Sequence, residues 1–126
     1  MRNISFSLTA WQIANQKKKV TRRLGWGFLR PGDHVRPVLK VRGLKKGETV
    51  QSIGGPLRIV SVRHEALNAN KKQYELYWEP RKEGFAYLSW DEFIKMFCKA
   101  NKCKPDTVIT RIEFEYTESR RLPGKE

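Results

Sequence analysis

Gln16-Lys17-Lys18-Lys19-Val20-Thr21-Arg22-Arg23 is the stretch on which the reading of this chain turns. Five of its eight residues are cationic. A charge run of this kind is ordinarily a solvated face. Here the β-branched Val20 and Thr21 interrupt the cations, and such side chains suit an ordered strand better than a disordered tail. Val20 to Leu24 is therefore read as extended. A basic segment that is folded can hold a phosphate, or depress the pKa of one lysine set among other cations.

Upstream, Ile4, Phe6 and Leu8 alternate as a first strand. Thr9-Ala10-Trp11-Gln12 then reads as a capping box, with Thr9 as N-cap and Gln12 at the third helical position. The spacing predicts a short helix from Ala10 to Gln16, with Trp11, Ile13 and Ala14 toward its buried side. Downstream, Gly25-Trp26-Gly27-Phe28-Leu29 is a flexible aromatic stretch, and Arg30-Pro31-Gly32-Asp33 is a turn.

Val35 to Val41 reads as the next strand. Leu44 to Glu48 is a loop, and Gly54-Gly55-Pro56 breaks the chain before a strand carrying Leu57, Ile59, Val60 and Val62. Glu65 to Tyr77 stays undecided: Leu67-Asn68-Ala69-Asn70 is polar, while Tyr74, Leu76 and Trp78 alternate like a strand. Glu79 to Gly84 reads as a loop. Ser89-Trp90-Asp91-Glu92 is a second capping box, opening a helix to about Ala100 on which Phe93 and Phe97 stack.

Pro105-Asp106 turns the chain into the clearest strand, with Val108, Thr110, Ile112, Phe114 and Tyr116 on one face and Arg111, Glu113 and Glu115 on the other. The expected architecture is α+β, mostly β: five or six short strands and two short helices forming a small closed or nearly closed β-barrel. One domain over residues 1–116 is expected, with 117–126 a flexible C-terminal tail.

The chain of 126 residues carries a formal charge of +13, and no Asp or Glu precedes Asp33. That asymmetry points to an acidic partner, RNA among them, met by the N-terminal quarter. No segment is apolar enough to span a membrane, and the N-terminus lacks a signal-peptide core, so a cytoplasmic protein is expected. Cys98 and Cys103 are the only cysteines, far in sequence from His34 and His64. Their spacing does not suit zinc; two reduced thiols, no metal site and no cofactor are expected.

Lys18, Thr21 and Arg23, followed by Leu24-Gly25-Trp26 and Pro31-Gly32-Asp33, resemble the ASCH domain family of the PUA-like superfamily. The family signature is Gly-x-Lys-x-x-x-x-Arg at the end of the first helix. Gln16 stands at the Gly position here, where a positive φ suits glycine, with Lys18 and Arg23 at the other two. Arg81-Lys82-Glu83-Gly84-Phe85, the Phe93–Phe97 helix with Asn101 to Asp106, and Ile112 to Tyr116 continue the likeness. It implies a PUA-like barrel associated with RNA.

A bacterial branch of ASCH-like proteins hydrolyses N4-acetylcytidine and related acylated cytidines. The resemblance implies that Lys18, Thr21 and Glu83 occupy the positions of that chemistry. In such a reaction Thr21 serves as nucleophile and Lys18 as base once its pKa falls, while Glu83 positions the amine or a water. Other members bind RNA without this chemistry. A Lys and a Thr three residues apart also occur by chance in many extended basic segments.

Lys17, Lys19, Arg22 and Arg23 are the candidate nucleic-acid contacts, or Arg23 holds the segment in place by pairing with a carboxylate. Trp26, between two glycines and close to Arg22 and Arg23, is the candidate for stacking on a base. Trp11 and Trp90 sit at helix starts and read as core. The expected function is binding of RNA or a modified nucleoside in a basic cleft; the alternative is an amidohydrolase working through Lys18, Thr21 and Glu83.

Overall fold

A computed structural model describes residues 1–118. Five strands form one sheet: β1 (Arg2–Ser5), β2 (Val20–Arg23), β3 (His34–Val38), β4 (Leu57–Ala66) and β5 (Val108–Tyr116). Their order is β1-β3-β4-β5-β2. β1 runs parallel to β3, and the remaining neighbours are antiparallel. Three helices complete the fold: α1 (Ala10–Ala14), α2 (Gln73–Lys82) and α3 (Trp90–Asn101).

The α+β, mostly β class holds, but the expected barrel is not closed. β1 and β2 are the two edges of the sheet and share no ladder. A side chain stands where that ladder would run. Arg23 Nη2 donates to the Ser5 carbonyl at 2.5 Å, and its guanidinium lies 4.8 Å over the Phe6 ring. Both edge strands are four residues long, as exposed edges commonly are.

The expected count of two helices also falls short. α2 occupies the region where Tyr74, Leu76 and Trp78 alternate like a strand and Glu79 to Gly84 reads as a loop. Its buried residues are Glu79 and Pro80, while Tyr74, Leu76, Tyr77 and Trp78 face outward. A helix that buries a carboxylate instead of an apolar stripe shows little of the periodicity by which helices are read. The Glu75 carboxylate accepts from Lys72 N at 3.0 Å at its start, and Arg81 and Lys82 lie in its last turn, where cations favour the dipole.

The core has two parts. Ile4, Phe6, Ile13, Leu29, Val35, Leu57, Ile59, Ile112 and Phe114 join α1 to one face of the sheet. Leu67, Phe85, Trp90, Phe93, Phe97 and Ile109 join α3 to the other end of β5. β4 serves the first part through a bulge. The register shifts between Ile59 and Ser61, so Val62 joins Leu57 and Ile59 on the cluster side, where unbroken alternation would turn it out.

Several local expectations shift. β1 ends at Ser5, so Leu8 lies beyond the strand and is exposed, and Trp11 is exposed, not core, because α1 is only five residues long and buries Ile13 alone. Thr9 holds the N-cap position but makes no side-chain cap bond. The second capping box forms as read: the Ser89 hydroxyl accepts from Glu92 N at 3.1 Å, and the Glu92 carboxylate accepts from Ser89 N at 2.9 Å. At the chain end, Thr117 donates to the Pro56 carbonyl at 2.7 Å and Gln16 donates to the Glu118 carbonyl at 2.7 Å. The rest of the expected tail lies outside the described residues.

Candidate functional site

β2 docks on the end of α2, and that junction builds the site. Lys19 N donates to the Lys82 carbonyl at 2.8 Å. α2 ends in a Schellman motif: Gly84 N donates to the Arg81 carbonyl at 3.0 Å and Phe85 N to the Pro80 carbonyl at 2.9 Å. Gly84 takes φ +90°, and a methyl group there would lie 3.2 Å from Gln12 Cγ and 3.5 Å from Lys18 Cβ. The turn sets Glu83 at the helix C-cap, facing the strand. Gly84→Ala is expected to cost about 1–2 kcal/mol from the left-handed backbone alone, read as a lower denaturation midpoint. An unchanged midpoint would show that this turn tolerates a side chain.

Lys18 and Glu83 are both buried. Lys18 Nζ donates to the Glu83 carbonyl oxygen at 2.5 Å and to Glu83 Oε1 at 3.0 Å. The amine thus caps the helix and pairs with its last carboxylate. Arg22 Nη1 donates to Glu83 Oε2 at 2.9 Å, and Arg22 Nη2 also binds Glu79 Oε1. Arg111 grips Glu79 with two bonds, Nε to Oε1 at 2.8 Å and Nη2 to Oε2 at 3.1 Å. Trp90 lies 4.9 Å from the Arg22 guanidinium and shields it.

Burial pushes the Lys18 amine below its ordinary value; the charge and hydrogen bond of Glu83 oppose this, and Arg23 and Arg22 add to it. Burial pushes Glu79 upward, but the hydrogen bonds of Arg111 and the charge of Arg22 outweigh it and hold the carboxyl at about 2. Burial lowers Arg23 to about 10, with the Glu83 charge opposing.

Lys18 and Arg23 border a pocket of about 220 Å³. Lys18, Thr21, Arg22, Arg23 and Glu83 all line it, so the three residues aligned with the hydrolase positions meet in one place. Thr21 is buried, and its Oγ1 accepts from Arg23 Nε at 3.0 Å. Among the described residues, the hydrogen bonds of the Lys18 amine both go to Glu83. Lys18 and Thr21 therefore face the same pocket without a bond between them. Phe85, Phe93, Met96 and Phe97 supply an apolar wall.

The other candidates are placed elsewhere. Lys17 and Lys19 are exposed on the approach to β2 and lie outside the pocket lining. Trp26 is half-buried against the first core cluster, 5.3 Å from the Phe28 ring, and also stands outside it. Trp90 is core, as expected. Arg23 holds its segment through Thr21 and Ser5 and forms no ion pair with a carboxylate among the described residues. Gln16 takes φ +56°, the left-handed conformation that the glycine of the signature would adopt without cost.

Sequence reasoning missed Glu79, Arg111, Thr9 and Phe85 as site neighbours. Arg111 carried a usable signal: a cation in the centre of a well-patterned strand demands a carboxylate if anything covers that face. Glu79 carried none, because its helix was not legible. No cluster of three or more His, Cys, Asp or Glu suited to a metal occurs among the described residues, and none of their helices is long and apolar enough to cross a membrane.

Fold and pocket together define a small α+β domain with an open mixed sheet and a polar cavity where a basic edge strand meets a helix end. Among solved structures, a hypothetical protein, PH0355, matches 90% of this chain and 94% of its own at 15% identity and TM-score 0.58. The ASCH domain of Lactobacillus crispatus JV V101 matches 90% of this chain and 77% of its own, at 17% identity and TM-score 0.54. A protein of Enterococcus faecalis V583 assigned to DUF984 matches 90% and 74%, at 16% identity and TM-score 0.53. No family model matches the chain, and no curated protein matches it in sequence. The fold is ASCH-like.

Proposed function

We propose that the domain binds a single nucleobase, of RNA or of a modified nucleoside, in the pocket between β2 and the end of α2. The observation that carries this reading is the pocket itself. It is small, and its lining combines aromatic rings with buried hydrogen-bonding groups. Bases carry both an apolar face and a polar edge, and single-stranded RNA is commonly recognised by splaying such a base into a pocket. Exposed Lys17 and Lys19 lie beside it and extend a positive field that suits an RNA strand. Trp26, outside the lining, fits a contact to a neighbouring base. An RNA ligand is consistent with a cytoplasmic location.

Titration of the protein with single-stranded RNA, followed by tryptophan fluorescence, is the test. Affinity is expected to fall linearly with salt on logarithmic axes, and Lys17→Ala with Lys19→Ala to weaken every sequence alike. Absence of binding to both RNA and cytidine nucleosides at low salt would overturn the reading.

One observation favours a second reading, amide hydrolysis of an acylated cytidine. A buried lysine amine with a lowered pKa shares the pocket with a hydroxyl and a carboxylate. In that reaction Thr21 Oγ attacks the acyl carbonyl as its proton passes to neutral Lys18. The C–N bond breaks, and the departing cytosine amine takes the proton. Water, deprotonated at Glu83 or Lys18, then releases the acyl group from Thr21 as a carboxylate. Arg23, donating to Thr21 Oγ1, favours the deprotonated oxygen. Incubation with N4-acetylcytidine and detection of cytidine is the test.

A further inference from the structure

We infer that the ligand of this pocket carries a phosphate, seated on Arg23 and on the hydroxyls of Thr9 and Thr21. The inference rests on the base-binding reading and adds a charged group to it.

The first observation is a guanidinium without an anion. Lys18, Arg22 and Arg111 are buried around two carboxylates, Glu79 and Glu83, with Arg23 beside them. Glu79 is taken by Arg22, Arg111 and Lys82, and Glu83 by Lys18 and Arg22. Arg111 also meets Glu113 at 3.6 Å, so Arg22 and Arg111 both have carboxylate partners. Arg23 is the one without an anionic partner among the described residues, and at about 10 its pKa keeps it charged near neutral pH. A desolvated guanidinium without an anion is costly, so a ligand that supplies the anion is favoured.

The second observation is that Arg23 is held ready. Nε is fixed by Thr21 Oγ1 and Nη2 by the Ser5 carbonyl, with Phe6 under the guanidinium plane. Nη1 has no partner among the described residues. A guanidinium fixed in this way suits the tetrahedral oxygens of a phosphate.

The third observation concerns hydroxyls. Thr21 Oγ1 accepts from Arg23, which leaves its own hydrogen free to donate. Thr9 is 4% exposed, stands at a helix N-cap without capping, and lines the same pocket. Phe85, Phe93 and Phe97 line the same pocket. A base on the rings and a phosphate on Arg23 would use both kinds of lining group.

The test compares four probes by calorimetry at low salt: cytidine, cytidine 5′-monophosphate, inorganic phosphate, and a single-stranded pentacytidylate without terminal phosphates. The monophosphate is expected to bind at least about tenfold tighter than cytidine, about 1.4 kcal/mol. In Arg23→Met the two are expected to bind alike, and Arg23→Lys should keep part of the difference. Thermal melts of both variants establish that they fold; if Arg23→Met does not, Arg23→Lys against wild type carries the comparison.

Equal affinity of wild type for cytidine and its monophosphate overturns the phosphate seat and leaves base binding standing. If none of the three cytidine probes binds, the base reading fails. Saturable binding of inorganic phosphate that Arg23→Met abolishes then supports the seat alone, and no phosphate binding overturns it as well. Tighter binding of the pentacytidylate than of the monophosphate assigns the phosphate to an RNA diester, and the reverse order assigns it to a free nucleotide.

Discussion

Glu79→Ala is expected to cost the fold about 3–5 kcal/mol, the range seen when one partner is removed from a buried ion pair. Glu79 is 2% exposed and is the shared anion of Arg22 and Arg111. Truncation leaves Arg22 with Glu83 alone and the buried Arg111 with only the partly exposed Glu113, 3.6 Å away, and neither guanidinium can lose its proton. Against a typical total of about 5–15 kcal/mol this is a large fraction. Denaturant unfolding measures it; a loss below about 1 kcal/mol would place these charges in the regime of solvated surface pairs. Glu79→Gln keeps the shape and some hydrogen bonding, so a smaller loss of the same sign is expected.

The same carboxylate sets an acid limit. Its pKa is lowered from 4.5 in the unfolded chain to about 2 in the fold. The folded state therefore binds fewer protons than the unfolded one in that window. The stability contributed by Glu79 is fully present above about 4.5 and is lost as pH falls through about 2. In Glu79→Gln this part of the acid transition should vanish. An identical acid profile in variant and wild type would assign the transition to other carboxylates.

Lys18→Met is expected to lower any deacylation of N4-acetylcytidine by about 10²–10⁴-fold, the usual contribution of a general base. The side chain keeps its length, but the amine that would accept the Thr21 proton is gone. Thr21→Val, which keeps the branched shape and loses the hydroxyl, should fall at least as far. Wild-type rate should rise with pH through the lowered pKa of Lys18, since only the neutral amine accepts a proton. Lys18→Arg retains the cation and cannot be deprotonated, so it separates the base from the structural ion pair. Full activity in Lys18→Arg would exclude the proposed base. No turnover by wild type on acylated cytidines would leave base binding as the surviving reading.

Much of the site was legible because its residues lie close together in sequence. Lys18, Thr21, Arg22 and Arg23 belong to one extended segment, and the interleaved Val20 and Thr21 marked it as ordered. Glu83 was found through the Glu-Gly-Phe context of a family likeness, and the structure sets it 3.0 Å from the Lys18 amine. What failed was the assumption that a basic run acts as a unit. Burial divides it: Lys17 and Lys19 stay in solvent, while Lys18 and Arg22 turn inward to the carboxylates at the end of α2. Trp26, chosen for its place beside the arginines, packs instead on Phe28 and the first core cluster.

The sequence by itself determined the strands with clean alternation, the Ser89 capping box and the basic character of β2, because each depends on neighbours within a few residues. Tertiary structure alone decided α2, the open sheet and the buried charges. α2 hides Glu79 from any hydrophobic pattern, since its inward side chain is polar and its partners, Arg22 and Arg111, stand 57 and 32 residues away. Whether the sheet closes depends on two edge strands that are far apart in the chain, and there the side chain of Arg23 takes the position a ladder would need. Burial, not residue type, then separates the solvated cations of this chain from those that must find an anion.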